Sequence, residues 1–325
     1  MSGMSGADDG PAGAPATAGR ILLPYPPDRI GGLPHVPVAV WDGHGEAPPQ
    51  QVLDTVEFFV IPYTRAAAAL PLLPRMPRLR AVQSLSAGVD DLLPAVPAGV
   101  ALCNARGVHD TSTAELAVTL VLASLRGVPG FVRAQDAGVW RGGPSASLAD
   151  RTVLVVGYGS IGAAVEERLV PFECELLRVA RSARTAARGP VHALQSLPEL
   201  LQAADVVVLT VPLTEHTRGL VDARFLAAMR DGALLVNVAR GAVVDTDALL
   251  AELQRGRLAA ALDVTDPEPL PHDHPLWRAP NTLISPHVGG NSAAFLPRAM
   301  RLIRAQVGRF LAGEPLENVV AGPGA

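Results

Sequence analysis

The segment VLVVGYGSIGAAVEERL, residues 153–169, joins an apolar run, a glycine-rich turn and a helical pattern. The run TVLVV predicts a strand buried on both faces. In GYGSIG, Gly157 makes the tight turn, Gly159 lets a pyrophosphate approach the backbone, and Gly162 permits close helix–strand packing. The N-terminus of the following helix stabilises an anion. This order of elements predicts a dinucleotide site and argues against a chance turn.

The second strand, LLRVA, ends at Ala180 and is followed by Arg181, Ser182, Ala183 and Arg184. In NAD sites a carboxylate at this place accepts hydrogen bonds from the ribose hydroxyls. Here no carboxylate follows for the length of a loop, and guanidinium groups bind phosphate through paired hydrogen bonds. The pattern predicts NADP(H) as the preferred cofactor, bound by Arg181, Ser182 and Arg184, with NAD(H) possible. The alternative is a set of solvated arginines in an arginine-rich chain.

Composition excludes several classes of protein. The 325 residues are 49% hydrophobic and 18% charged, as in globular domains, and the net charge of −4 argues against a nucleic-acid surface. All 27 basic residues are arginine, so a Schiff-base lysine is excluded. Cys103 and Cys174 form no CxxC pair, which fits a reduced, cytoplasmic protein. Residues 1–19 predict a flexible leader, and the apolar run around Ala114–Leu125 is too short to span a membrane.

Alternating strand and helix patterns predict an α/β protein with two Rossmann-like domains. Residues 104–290 predict a dinucleotide-binding domain with a doubly wound parallel sheet. Residues 20–103 and 291–325 predict a smaller, flavodoxin-like substrate domain built from both chain ends. The last segment predicts a helix that ends at Gly313 and returns the chain to this domain. Residues 112–128 predict one long helix, capped by Ser112 or Thr111 with Glu115 in its first turn. Its apolar breadth places it at a domain or dimer interface.

Three later segments carry charged residues at or after the ends of strands. LLVNVARGAVVD contains Arg240, ALDVTDPEPL contains Asp263 and Glu268, and LISPHVGG contains His287. With these motifs in this order, the chain resembles the D-isomer-specific 2-hydroxyacid dehydrogenases, and within them the glyoxylate/hydroxypyruvate reductases most. The resemblance covers about residues 80–320, whereas the first 80 residues match only as a strand–helix pattern.

The resemblance implies roles for the charged residues in an NAD(P)-dependent dehydrogenase. Arg240 would bind the carboxylate of a small 2-oxo or D-2-hydroxy acid and polarise the 2-carbonyl with its planar fork of donors. His287 would exchange a proton with the carbonyl oxygen, and Glu268 would hold the imidazole and raise its pKa. Asp263 resembles the residue that holds the nicotinamide carboxamide.

The resemblance also implies binding segments on several loops. The loop SAGVD would place Ser86, Ala87, Gly88 and Val89 at the substrate carboxylate, as a nest of backbone N–H groups. Helix region 112–140 would form a homodimer interface. Beyond the three glycines and the arginine turn, the residues expected at the cofactor are Thr113, Ser160, Ile161, Val211, Pro212, Thr217, Val238, Ala239, Asp263, His287 and Gly289.

Alternative functions are weaker on the residues present. His272 and His274 lack a further ligand set, so no metal site is expected. A non-catalytic NAD(P)-sensing or scaffolding protein of this fold is possible, but intact Arg240, Glu268 and His287 weigh against it. Phosphite dehydrogenases of this fold carry a lysine in the loop that here reads SLSAG, and formate enzymes need an asparagine-rich pocket that is not evident.

Overall fold

The computed structural model describes residues 20–325, so the predicted leader, residues 1–19, lies outside the described residues. The described chain divides into two compact units. Residues up to Ala105 together with Ala299–Ala325 form the first unit, and Arg106–Arg298 form the second. The sequence predicts unit boundaries at 103/104 and 290/291. The observed boundaries fall two and eight residues later, after Ala105 and after Arg298.

The described residues contain fourteen strands, numbered here through the whole chain. Their bounds are β1 Ile21–Leu23, β2 Val38–Val40, β3 Phe58–Val60, β4 Ala81–Gln83, β5 Ala101–Cys103, β6 Thr152–Val156, β7 Glu175–Ala180, β8 Arg184–Ala186, β9 Gly189–Ala193, β10 Val206–Leu209, β11 Leu234–Asn237, β12 Ala259–Leu262, β13 Thr282–Ile284 and β14 Val319–Ala321. The apolar runs of the sequence account for most of them, because strands covered on both faces are continuously hydrophobic.

The same residues contain ten α-helices and five short 3₁₀ segments. The α-helices are α1 Pro27–Ile30, α2 Gln50–Leu53, α3 Ala66–Ala69, α4 Asp110–Leu125, α5 Val128–Asp136, α6 Ser160–Leu169, α7 Leu197–Ala203, α8 Ala223–Ala228, α9 Thr246–Gln254 and α10 Phe295–Ala312. The 3₁₀ segments are Leu70–Arg75, Val170–Phe172, Leu194–Ser196, Gly241–Val243 and Pro275–Arg278.

The first unit is built on a six-stranded sheet in the order β2-β1-β3-β4-β5-β14. Its strands are parallel except for β14, which runs antiparallel to β5. The order 2-1-3-4-5 is that of flavodoxin-like folds. Gly313, at a φ of 72°, follows α10 and frees the chain to add β14 to this sheet.

The second unit is built on an eight-stranded sheet in the order β13-β12-β11-β10-β6-β7-β9-β8. All neighbours are parallel except β8 and β9. The direction in which strands are added reverses between β6 and β10, and open α/β sheets bind ligands at such a switch point. Both sheets confirm the predicted α/β fold class.

The long helix predicted over residues 112–128 is wrong at both ends. Helix α4 begins at Asp110, after His109, and no side chain caps it; Ser112 and Thr111 lie inside the helix, and Asp110 supplies the acidic side chain of the first turn. Gly127, at a φ of 69°, ends the run and starts α5. Glycine takes this left-handed conformation without steric cost, so the apolar pattern continues through a break in the backbone.

The helix break also bears on membrane insertion. Within residues 20–325 no single helix combines the length and apolar composition needed to span a membrane. Helices α4 and α5 meet that requirement only when counted together, and they bend by 68° at the break.

Candidate active site

The glycine-rich turn connects β6 to α6 at the switch point of the second sheet. Gly157 has a φ of 102°, and a Cβ there would lie 2.6 Å from the backbone nitrogen of Val211. A Cβ at Gly162 would collide with the carbonyl oxygen of Gly157. At Gly159, by contrast, nothing lies within 4 Å of a Cβ position. The first and third glycines are therefore required for packing, and the second leaves open space where a phosphate fits against the helix N-terminus.

The loop after β10 lies against this turn, because β6 and β10 are parallel neighbours. Val211 is buried against Gly157, and the Thr217 hydroxyl donates to the carbonyl of Pro212 over 2.6 Å. The same Thr217 hydroxyl accepts from the backbone N–H of Thr214 over 2.8 Å. Thr217 therefore fixes the shape of the loop, while contact of Pro212 and Thr217 with a cofactor stays a prediction.

The arginine turn follows β7 at the same edge of the sheet. Arg181 and Ser182 are exposed, and Arg184 begins β8 with its side chain directed to the glycine-rich turn, where it donates a hydrogen bond to the carbonyl oxygen of Tyr158. The strands β8 and β9 form a hairpin that the sequence patterns did not predict. No acidic residue occurs between Glu175 and Glu199. The structure therefore places positive charge beside the dinucleotide turn.

The predicted catalytic residues follow three neighbouring parallel strands. Asn237 pairs with Leu262 and Leu262 with Ile284, so β11, β12 and β13 end level with one another. Arg240, Glu268 and His287 come after these strands in turn. The Nδ1 atom of His287 forms a short hydrogen bond with Oε1 of Glu268. The two side chains remain about half exposed within this unit, at 48% for the histidine and 40% for the glutamate.

The Glu268–His287 pair favours the charged form of both partners. The hydrogen bond from Glu268, helped by its charge, raises the pKa of His287 against the opposing effects of desolvation and Arg240. Burial opposes ionisation of Glu268, but the hydrogen bond and charge of His287, a backbone hydrogen bond at Thr265 and the charge of Arg240 lower the pKa of this carboxyl. An imidazolium that persists toward neutral pH is suited to donating a proton.

Asp263 fixes the turn that carries His287. Its carboxylate is buried and accepts from the Ser285 hydroxyl over 2.6 Å, from the Val288 N–H over 2.9 Å and from the Gly289 N–H over 2.8 Å. The His287 backbone has a φ of 52°, a conformation that costs energy and persists only when its surroundings enforce it. A contact between Asp263 and a nicotinamide carboxamide stays a prediction.

Asn237 plays a corresponding part for Arg240, and its role was not predicted. Its amide donates to the carbonyl of Arg240 over 2.9 Å and accepts from the N–H of Ala239 over 3.0 Å. A Cβ at Gly241 would collide with the carbonyl of Thr265, so the two loops pack backbone to backbone. The one available signal was an amide at the end of the apolar strand LLVN.

The other expected cofactor residues line the same part of the second unit. Thr113 and Gly289 lie side by side, since a Cβ at Gly289 would be 3.5 Å from the Thr113 methyl group. Val238 and Ala239 are buried after β11, and Ser160 and Ile161 open α6 half-buried. Their contacts with a cofactor stay predictions.

The turn after His287 has two further partners that the sequence did not reveal. Ser112 and Ser292 share a hydrogen bond of 2.6 Å, and a ring nitrogen of the buried His109 lies 3.2 Å from the carbonyl oxygen of Gly290. The His109 ring also stacks on Phe295 at 5.4 Å between centroids. The start of α4 and the residue before it therefore anchor the segment from Gly290 to Phe295.

The predicted substrate loop lies in the first unit, after β4. Its peptide groups are oriented by the carbonyls of Ser86 and Ala87, which accept from the Ala105 N–H and the Asn104 amide over 2.9 Å each. In a planar trans peptide the N–H points opposite to the C=O. The N–H groups of Ala87 and Gly88 are thereby turned away from Asn104 and Ala105, and the nest of backbone N–H groups stays a prediction. Val89 is buried in the core, and substrate binding by this loop stays a prediction.

Residues 20–325 contain no group of three or more histidine, cysteine, aspartate or glutamate side chains that could hold an ion. The Nδ1 atom of His274 accepts from the Leu276 N–H over 3.3 Å and caps the segment Pro275–Arg278.

A doubly wound sheet with a glycine-rich turn at its switch point, and with an arginine and a histidine–carboxylate pair after neighbouring parallel strands, is the arrangement expected of a nucleotide-dependent oxidoreductase. Residues 118–289 match the family model described as "D-isomer specific 2-hydroxyacid dehydrogenase, NAD binding domain". The chain belongs to this family and is an NAD(P)-dependent D-2-hydroxyacid dehydrogenase.

Individual relatives support the assignment over most of the chain. A human protein named glyoxylate reductase/hydroxypyruvate reductase is 35% identical over 252 residues, which cover 74% of this chain and 76% of the relative. A D-isomer specific 2-hydroxyacid dehydrogenase from Xanthobacter autotrophicus Py2, solved with NADPH and MES, is 30% identical at a TM-score of 0.77, covering 94% and 98%. An NADPH-dependent glyoxylate/hydroxypyruvate reductase from Sinorhizobium meliloti, solved with NADP and sulfate, is 28% identical at a TM-score of 0.78, covering 92% and 97%.

Proposed function

We propose that this dehydrogenase is an NADPH-preferring reductase of small 2-oxo acids, of the glyoxylate or hydroxypyruvate type. The observation that carries the proposal is the Glu268–His287 pair, which raises the pKa of the histidine beside Arg240. Relatives named glyoxylate and hydroxypyruvate reductases support the substrate class. The proposal includes a cytoplasmic location, in keeping with two unpaired cysteines.

The mechanism assigns one task to each side chain. A bound nicotinamide cofactor supplies or accepts the hydride at C2 of the substrate. Arg240 binds the substrate carboxylate and polarises the 2-oxo group through its guanidinium donors. His287 donates its proton to the carbonyl oxygen during reduction and recovers one from the hydroxyl in the reverse direction. Glu268 keeps the imidazole protonated, and Asp263 and Asn237 hold the two turns in place.

The cofactor preference is supported by the charge at the adenosine end of the site. Arg181, Ser182 and Arg184 occupy the place where NAD enzymes have an acid, and Arg184 reaches the glycine-rich turn. The Xanthobacter and Sinorhizobium neighbours were solved with NADPH and NADP. Arginine pairs with a phosphate dianion far more strongly than with neutral ribose hydroxyls.

The proposed reaction is tested with a panel of 2-oxo acids, each assayed with NADPH and with NADH. We expect glyoxylate and hydroxypyruvate to be reduced, with the higher kcat/KM for NADPH. Equal kcat/KM values for the two cofactors would contradict the cofactor preference. A complete lack of turnover, with both cofactors still bound, would favour a sensing protein instead.

Arg181→Ala is expected to weaken NADPH much more than NADH. Loss of one charge-assisted contact to a phosphate costs about 1.5–3 kcal/mol, so kcat/KM with NADPH should fall roughly 10- to 100-fold while that with NADH stays within about twofold. Arg224→Ala, at an exposed arginine of α8, is the matched control and should change neither value. Equal losses for both cofactors would make Arg181 a structural residue.

Glu268→Gln is expected to move the pH profile of reduction to lower pH. Reduction needs protonated His287, so its rate declines as pH rises through the pKa of that histidine. The largest cause that raises this pKa is the hydrogen bond with Glu268, and glutamine removes its negative charge. The profile of kcat/KM against pH measures the shift, and an unchanged alkaline limb would remove Glu268 from this role.

We also propose a homodimer formed through the region 112–140. No residue of α5 is buried within the chain, and its apolar side chains Val128, Phe131 and Val132 are exposed together with Val139 and Trp140. Trp140 is 99% exposed to solvent. Exposed large apolar side chains that follow closely along one segment are typical of an interaction site, and a second copy of the chain is the expected occupant.

Trp140→Glu is expected to shift the protein from dimer to monomer, because a buried carboxylate without a partner opposes association. Light scattering coupled to size-exclusion chromatography measures the mass. Leu93→Glu, at an exposed leucine of the first unit, is the matched control and should leave the mass unchanged. A monomeric wild-type protein would refute the dimer.

A further inference from the structure

A buried ion pair lies next to the glycine-rich turn and contacts Tyr158 of that turn. Glu166 on α6 is 1% exposed and Arg178 on β7 is 7% exposed. The Nε atom of Arg178 donates to Oε1 of Glu166 over 2.8 Å, and its Nη2 atom makes a second, shorter bond to the same oxygen. Charges in such positions are costly unless paired, and well-packed apolar residues often replace buried ion pairs in proteins without loss of stability. The dinucleotide motif and the strand pattern require neither residue.

Tyr158 connects this pair to the surface. Its hydroxyl donates a short hydrogen bond to the second carboxylate oxygen of Glu166. Two guanidinium groups lie over its ring, that of Arg178 at 6.0 Å and that of Arg184 at 5.9 Å from the ring centroid. Burial and the bond to Glu166 raise the pKa of Tyr158, so the phenol remains a donor. Tyr158 lies between Gly157 and Gly159 and therefore belongs to the glycine-rich turn itself.

Arg184 is held at this turn by two contacts with one residue. Its guanidinium lies over the ring of Tyr158 and donates to the carbonyl oxygen of the same residue. A cation over an aromatic face is stabilised by the ring quadrupole. That hydrogen bond uses one of the five donors of a guanidinium group, which leaves a fork for a phosphate.

Arg178 also supports the hairpin that carries Arg184. A Cβ at Gly189 would lie 3.5 Å from Nη1 of Arg178, so the turn into β9 passes close to this side chain. Gly189 pairs with Ala186, and Arg184 pairs with Val191 in the same short ladder. The buried arginine therefore lies close both to the Tyr158 ring and to the hairpin from which Arg184 projects.

We propose that Arg178, Glu166 and Tyr158 form a positioning network that holds the Arg184 guanidinium at the glycine-rich turn and thereby sets the preference for a dinucleotide with a 2′-phosphate. This inference rests on the proposed NADPH preference. An exposed arginine on a hairpin loses much side-chain freedom when it binds a ligand. Holding Arg184 in place before binding removes part of that entropic cost. Only a ligand that pairs with the guanidinium binds more tightly as a result.

The network is tested by calorimetric binding of two cofactor fragments, adenosine 2′,5′-bisphosphate and 5′-AMP. The full-length enzyme should bind the bisphosphate more tightly. Tyr158→Leu, which removes ring and hydroxyl, should weaken the bisphosphate about tenfold and 5′-AMP less than about twofold. In an Arg184→Met background the same Tyr158→Leu change should have almost no further effect on the bisphosphate, because the two residues act as a unit.

Two further variants separate positioning from damage to the fold. Tyr158→Phe keeps the ring above Arg178 and should retain most of the preference, as a conservative rescue. Tyr25→Leu removes another tyrosine that lies 5.1 Å below an arginine, Arg29, in the first unit, and should leave both fragment affinities unchanged. Thermal melting of each variant reports folding independently of the fragments.

The outcomes distinguish the two proposals. A wild-type enzyme that binds both fragments equally would contradict the NADPH preference and the network with it. A wild-type preference that survives in Tyr158→Leu, or a loss equal for both fragments, contradicts the network alone. A loss on Tyr158→Leu that persists in the Arg184→Met background would show that Tyr158 acts without Arg184 and would equally overturn the inference.

Discussion

His287→Ala is expected to lower kcat for 2-oxo acid reduction roughly a thousandfold. General acid catalysis contributes about 10²–10⁴ to such reactions, and alanine has no group to protonate the carbonyl oxygen. The pKa of His287 is raised by Glu268, so the wild-type side chain carries the required proton toward neutral pH. Steady-state kinetics with saturating NADPH and glyoxylate measures the loss.

Two controls make the His287 result specific. His35→Ala, at an exposed histidine of the first unit, should keep wild-type kcat. Calorimetric binding of adenosine 2′,5′-bisphosphate to His287→Ala should equal that of the wild type, because the proposed adenosine end of the site lies at the turns after β6 and β7. Wild-type turnover in His287→Ala would remove the acid–base assignment.

The sequence predicted most of the fold because its strands are short apolar runs between recognisable breaks. VLVV, VVVL and LLVN are buried along their length, as their continuous apolar runs predict. The hairpin of β8 and β9 was missed because RTA is mostly exposed and GPVHA contains glycine and proline, which read as a turn. Helix α4 was extended through Gly127 because an apolar pattern does not register a backbone break.

The candidate site residues that could be predicted from the sequence are those that follow the ends of strands in recognisable motifs. Arg240, Glu268 and His287 follow parallel strands, and parallel strands end at one edge. The groups that hold them, such as Asn237 and Ser285, depend on side-chain directions in segments far apart in the sequence. Glu166 and Arg178 are twelve residues apart on different elements, and their pairing follows only from how α6 packs on β7.

Arg240→Met is expected to lower kcat/KM for glyoxylate by about 10²–10⁴. The substitution keeps the length of the side chain and removes the donors that would bind the substrate carboxylate, where two charge-assisted hydrogen bonds are worth about 1.5–3 kcal/mol each. Arg240→Lys should recover only part of the loss, because an ammonium group lacks the planar fork. The matched control Arg224→Met, at an exposed arginine, should leave kcat/KM unchanged.

The residual activity of Arg240→Met should also carry a shifted pH profile. The positive charge of Arg240 lowers the pKa of His287, against the raising effects of Glu268 and Asp263. Its removal raises that pKa, so the protonated histidine persists to higher pH and the alkaline limb of reduction moves upward. Glu268→Gln moves the same limb downward, and opposite shifts from two neighbours show that both charges act on one titrating group. Shifts in the same direction would place that group elsewhere than His287.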